Sequence, residues 1–76
     1  ELTPREHALL DCLFWHAPNV ATIPAILEFV WGMEAATVRR TLVEVYVGYL
    51  RRKIAHSQTV AIRTVRGVGY QFAARP

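Results

Sequence analysis

Apolar residues recur every three to four positions along the first half of the chain, the spacing that gathers them on one face of a helix. Leu9, Leu10, Leu13 and Phe14 form the first such stripe. Thr3-Pro4-Arg5-Glu6 precedes it as a helix start: Thr3 can cap, Pro4 suits the first turn, and Glu6 can reach back as a capping-box carboxylate. Pro18-Asn19 ends this helix. A second start follows at Thr22, with Pro24 in its first turn, Ile26, Leu27, Val30 and Trp31 as its apolar stripe, and Gly32 closing it. A third helix begins somewhere between Thr37 and Thr41 and runs to about Ala55. Both threonines can cap, and Thr41 with Glu44 makes a second S/T-x-x-E pattern.

At about 100° per residue, Val43, Val47, Leu50 and Ile54 of the third helix fall on one side. Thr41, Val45, Gly48 and Arg52 fall on the other, with Glu44, Tyr49 and Arg51 on the flanks. Gly48 costs a helix interior roughly 1 kcal/mol relative to alanine, and it lies on the outward stripe. Beyond the loop Ser57–Thr59 the period drops to two. Val60 to Val65 reads as a strand, Arg66-Gly67 as a turn, and Val68 to Phe72 as the returning strand, with Tyr70 and Phe72 on a common face. Ala73 to Pro76 reads as a fraying tail. The expected architecture is mainly α with a small β part: three helices followed by a C-terminal β-hairpin, in a single domain over residues 1–76.

Composition narrows the function. A chain of 76 residues that is 53% apolar and 20% charged is globular and has room for one core. No apolar run approaches the roughly 18 residues that cross a bilayer, and the N-terminus lacks the layout of a signal peptide, so a cytoplasmic location is expected. Cys12 is the single cysteine; it reads as a reduced thiol on or near a helix core, and neither metal nor cofactor is expected. The chain also lacks a nucleophile paired with a base, a carboxylate pair and a phosphate-cradling glycine loop. Arg66-Gly67-Val68-Gly69 lies in a hairpin rather than opening a helix, so no enzyme is expected.

Charge is distributed unevenly. Residues 1–34 hold Arg5 against Glu1, Glu6, Asp11, Glu28 and Glu34, whereas from residue 35 onward eight bases face only Glu44. Such a basic half suits a polyanion, because lysine and arginine displace counterions from phosphates. The major groove of duplex DNA, about 12 Å wide, admits one α-helix, and a basic hairpin tip beside it can lie in the minor groove. Trp31 can present its indole N–H to a phosphate; alternatively it is a core aromatic with that N–H on a local carbonyl.

Four strings carry a family resemblance: Leu2-Thr3-Pro4-Arg5-Glu6, Val30-Trp31-Gly32, Tyr49-Leu50-Arg51-Arg52-Lys53 and Ile62-Arg63-Thr64-Val65-Arg66-Gly67-Val68-Gly69-Tyr70. In order over residues 2–72, they resemble the effector domain of OmpR/PhoB-type response regulators, a winged helix-turn-helix of bacterial two-component systems. The resemblance implies a recognition helix over about 40–55 in the major groove, offering Arg40, Thr41, Val45, Gly48, Tyr49 and Arg52. It implies a wing over 60–72 with Arg66 and Gly67 at its tip, Arg66 entering the minor groove. Thr64, Trp31 and Arg51 would bind phosphates. The loop Gly32 to Val38, with Met33, Glu34 and Thr37, would be the segment that in this family can touch RNA polymerase. Such regulators bind direct repeats of double-stranded promoter DNA as homodimers, after phosphorylation of an aspartate in a receiver domain that is not in this chain. The small antiparallel sheet that opens the family's domain would precede Leu2, and without it exposed apolar faces would destabilise the chain or pair it with a second copy.

Three departures bear on the expected grip. His7 stands where the family often has a buried phenylalanine, placing a histidine in or beside the core. Ile23 replaces a common arginine, so the second helix would hold the backbone less. Thr41, Gly48 and Tyr49 leave the recognition face nearly neutral where basic residues are frequent. That neutrality fits an alternative, a winged helix serving as a protein-interaction module, since the fold alone does not decide function.

Overall fold

The structure is a computed structural model and describes residues 1–75. Helix α1 (Pro4–His16) is followed by a short strand β1 (Ala21–Thr22), helix α2 (Ile23–Trp31), a 3₁₀ helix (Gly32–Thr37), helix α3 (Arg40–Lys53) and a hairpin of β2 (Val60–Val65) and β3 (Gly69–Ala74). The strands form one antiparallel sheet in the order β1-β3-β2.

Two of the helix starts form as local chemistry dictates. Thr3 Oγ1 accepts from the Glu6 N–H at 3.2 Å while Glu6 Oε1 accepts from the Thr3 N–H at 2.9 Å, a complete capping box. Thr22 Oγ1 accepts from the Ala25 N–H, and α2 ends at Gly32, whose φ of 57° few side chains tolerate. The third start differs from expectation. Neither threonine caps α3: Thr37 closes the 3₁₀ helix with its hydroxyl donating to Glu34 O, and Thr41 lies inside α3, whose N-cap is Arg39 without a side-chain bond. Helix α3 also stops at Lys53, short of Ala55.

The core joins Leu9, Cys12 and Leu13 of α1, Ala21 of β1, Ile23, Ile26 and Trp31 of α2, Val43, Val47 and Leu50 of α3, and Ile62 and Tyr70 of the hairpin. The buried stripe of α1 is Glu6, Leu9, Cys12 and Leu13. Phe14, expected in the core, is 72% exposed. His7 is also outside the core; it is exposed and its Nδ1 lies 3.1 Å from Asp11. Both fall on the side of α1 away from Cys12 at about 100° per residue, because α2, α3 and the sheet pack on the Cys12 side. An apolar groove of about 440 Å³ runs past Leu10, Phe14, Ile54, Val60 and Phe72.

The buried acid is Glu6 instead. Its side chain is 5% exposed and accepts from Lys53 Nζ at 2.8 Å, and the same ammonium donates to Glu1 O. The start of α1 is thereby tied to the end of α3. The Lys53 hydrogen bond foremost, with the Thr3 N–H, holds the Glu6 carboxyl below its ordinary value.

Two further differences concern the sheet. Strand β1 was not expected; its two residues form a strand only through pairing of Ala21 with Tyr70 and Thr22 with Gly69. Ala73 and Ala74 are not a fraying tail, since they continue β3 opposite Ala61 and Val60, and Arg75 donates its N–H to Thr59 O. Pro76 lies outside the described residues. Among those described, no helix is long and apolar enough to cross a membrane.

Candidate nucleic-acid interface

Burial of Val43, Val47 and Leu50 rolls the opposite side of α3 outward. That side carries Thr41, Val45, Gly48, Tyr49 and Arg52, with Val45 44% and Tyr49 41% exposed. A Cβ added at Gly48 would meet nothing within 4 Å among the described residues, so no packing contact there requires glycine.

Tyr49 is held in place. Its ring stands edge-on to Tyr46 at 5.6 Å between centroids, and Tyr46 stands edge-on to Trp31 at 5.6 Å. The Arg52 guanidinium lies 5.5 Å over Tyr49, and that of Arg5 lies 5.2 Å over Trp31, so a cation closes each end of the ladder. Arg5 also approaches Glu34 at 3.5 Å, linking α1 to the 3₁₀ helix. Trp31 is therefore a core aromatic. Its Nε1 is buried and has no hydrogen-bond partner among the described residues, so it neither faces solvent nor rests on a local carbonyl.

The wing turn closes with the Val68 N–H on Val65 O at 2.9 Å, and Gly67 adopts φ 78°. Arg66 and Gly67 are exposed at its tip. Gly69 is enclosed: a Cβ there would collide with Ala21 O, so only glycine lets β3 pass β1. Between α3 and the wing lies a polar cleft of about 170 Å³, with Arg40 and Glu44 on one wall and Thr64, Val65, Arg66 and Gly67 on the other. Of the seven exposed arginines among the described residues, Arg40, Arg51, Arg52, Arg63 and Arg66 are on these two elements, whose one acid is Glu44, while Arg39 caps α3 and Arg75 follows β3.

The structure thus brings Arg40, Thr41, Val45, Gly48, Tyr49 and Arg52 together on one helix, and sets Thr64, Arg66 and Gly67 beside it. Arg51 is turned toward the hairpin, donating to Ile62 O and Thr64 Oγ1. Met33, Glu34 and Thr37 lie on the 3₁₀ helix; Met33 is fully exposed, whereas Glu34 is engaged by Arg5 and Thr37. The N-terminus of α2 offers little to an anion: the Ile23 N–H is taken by Val68 O, Pro24 has none, and the Ala25 N–H is taken by Thr22. Ile23 itself is buried. Sequence reasoning missed Arg5, Tyr46 and the wing bonds of Arg51. The traces of the ladder in the sequence are that Tyr46 and Tyr49, and Tyr49 and Arg52, are each three apart, hence neighbours on a helix.

Residues 1–72 match the family model described as transcriptional regulatory protein, C terminal. The chain belongs to this family. It is the winged-helix output domain of OmpR/PhoB-type response regulators, a family of non-enzymatic transcription regulators. Over 76 residues the chain is 49% identical to response regulator MprA of Mycobacterium leprae (strain TN) and to that of Mycobacterium tuberculosis (strain ATCC 25618 / H37Rv), covering 99% of this chain and 33% of each relative. The chain spans about a third of the length of the curated relatives it matches. Among solved structures, the DNA-binding domain of Bacillus subtilis CssR superposes with a TM-score of 0.82 at 29% identity, covering 96% of this chain and 78% of that one. A structure described as belonging to a family of redox sensors in the streptococci that evolved from two-component response regulators gives 0.81 at 42% identity, covering 96% of this chain and 31% of that one. The basic surface of this domain lies on α3 and the hairpin.

Proposed function

We propose that this domain binds double-stranded promoter DNA sequence-specifically and so regulates transcription, as the effector part of a two-component response regulator in the bacterial cytoplasm. One observation carries the reading: five of the seven exposed arginines among the described residues lie on α3 and the hairpin, the two elements sized for adjacent grooves. Helix α3 lies in the major groove. Arg40 and Arg52 meet phosphates, the Thr64 hydroxyl donates to another, and Arg66 beside Gly67 enters the minor groove, where a narrow A·T-rich segment attracts arginine. Base reading rests on apolar contact of Val45, and of the Thr41 methyl, with thymine methyls, and on the ladder-held Tyr49. Trp31, its N–H buried, supports that ladder rather than meeting phosphate. Full-length regulators of this type act as homodimers on direct repeats, and exposed Met33 with Glu34 and Thr37 forms the surface offered to RNA polymerase.

The near-neutral stripe of Thr41, Val45 and Gly48 favours a second reading, a protein-interaction module with little DNA affinity. Fluorescence anisotropy with a labelled duplex across a salt series separates the two. Three arginine–phosphate contacts give a slope of log affinity against log salt of roughly −3, and Arg66→Ala flattens it by about one. A wild-type slope near zero removes the DNA reading in favour of the interaction module.

A further inference from the structure

We propose that Arg51 is a strut between the recognition helix and the wing, and that it acts on DNA by orienting the Thr64 hydroxyl rather than by pairing with a phosphate. The inference rests on the reading that α3 and the hairpin grip a duplex. The geometry is specific. Arg51 Nε donates to Ile62 O at 3.3 Å, Nη2 donates to the same carbonyl at 2.9 Å, and Nη2 donates to Thr64 Oγ1 at 2.8 Å. The guanidinium carbon lies 5.8 Å from the Tyr70 ring centroid. One side chain, next to the buried Leu50 of α3, therefore engages Ile62 and Thr64 of β2 and Tyr70 of β3. Ile62 and Tyr70 are both core residues, so the strut is anchored at its far end as well.

The consequence for Thr64 follows from hydroxyl chemistry. A threonine hydroxyl has one hydrogen and two lone pairs. With a lone pair already accepting from Arg51, its hydrogen is directed away from the guanidinium. Thr64 is exposed, so that hydrogen faces outward as a donor to an incoming phosphate, polarised by the cation behind it. Arginine suits this role because its planar fork places two nitrogens on one carbonyl while reaching a second acceptor; lysine has no such fork. The same bonds set the spacing between α3 and the wing, and hence which minor-groove step lies under Arg66 when α3 occupies the major groove.

The test combines duplex binding with a measurement on the free protein. Arg51→Ala, Arg51→Lys, Thr64→Val, the double variant Arg51→Ala/Thr64→Val and the same-helix control Arg52→Ala are titrated with duplex DNA across a salt series, at a temperature where circular dichroism shows each folded. Arg51→Ala is expected to lose about tenfold in affinity with an unchanged salt slope, while Arg52→Ala flattens the slope by about 0.9. Arg51→Lys keeps the charge and does not rescue, and the double variant binds no more weakly than Arg51→Ala. Discrimination at base pairs under the wing falls with Arg51→Ala, and discrimination under α3 does not. A slope flattened by about one in Arg51→Ala, full rescue by lysine, or additive losses in the double variant overturns the proposal. In the free protein, residual dipolar couplings should show the hairpin reoriented relative to α3 in Arg51→Ala and not in Arg52→Ala. If wild type itself shows no salt-dependent duplex binding, the DNA reading has failed, and unchanged couplings in Arg51→Ala would then refute the strut independently.

Discussion

Replacing Gly48 by alanine should make this domain more stable and a weaker DNA binder. Gly48 lies inside α3, its φ is not in the left-handed region, and a Cβ there meets nothing within 4 Å. Alanine therefore fits without strain, and the gain is the helix-propensity difference of about 0.8–1 kcal/mol. Against a total stability of roughly 4–11 kcal/mol for a domain of this length, that shift is readily measured. It corresponds to a rise in melting temperature of about 4–8 °C, or of about 0.5–1 M in the urea midpoint at unchanged m. Nothing inside the fold accounts for a glycine that costs this much. The surface it faces is the one proposed to meet the floor of the major groove, where a missing side chain lets backbone and bases approach. Anisotropy titration of wild type, Gly48→Ala and Gly48→Arg against one duplex is the companion assay. Affinity should fall in that order, although arginine adds a charge. A stability gain with unchanged or tighter binding would show the glycine to be only a gap. No gain in stability would show that the helix argument itself is wrong.

Gly69→Ala should act in the opposite sense, because its Cβ collides with the Ala21 carbonyl and pries β1 from β3; a loss of about 3 kcal/mol by urea unfolding is expected, and a loss under about 1 kcal/mol would contradict the close approach. Glu6→Gln should destabilise the domain at neutral pH, with the deficit shrinking in acid. The lowered carboxyl pKa contributes stability that is present above its ordinary value of 4.5 and is lost as pH falls through the folded value; unfolding curves at pH 7 and pH 3.5 showing equal deficits would rule the ion pair out as the source. Burial pushes the Cys12 thiol up to about 11, so alkylation at pH 8 should be far slower than in the unfolded chain and should rise with the unfolded fraction measured by circular dichroism; rapid labelling of the native protein would place the thiol outside the core.

The three helices, the hairpin, the cap at Thr3, the stop at Gly32 and the division of α3 into buried and outward stripes were legible in the sequence, and for one reason. Each depends on residues within a turn or two of one another, where backbone preference, capping chemistry and apolar period act directly. The resemblance to the effector family was legible too, since its strings are themselves short and local. What the tertiary structure alone decided depends on groups far apart in the chain. Phe14 and His7 turned outward because α2, α3 and the sheet together select which side of α1 is buried. Ala21 and Thr22 became a strand only by meeting Tyr70 and Gly69, and Glu6 became the buried acid by meeting Lys53. Arg51 and Arg52 are adjacent and chemically identical, yet one is held by the wing and the other lies over Tyr49. A local pattern states how many arginines face outward; which of them remain free for a phosphate is set by acceptors that only the packed hairpin and the aromatic ladder bring within reach.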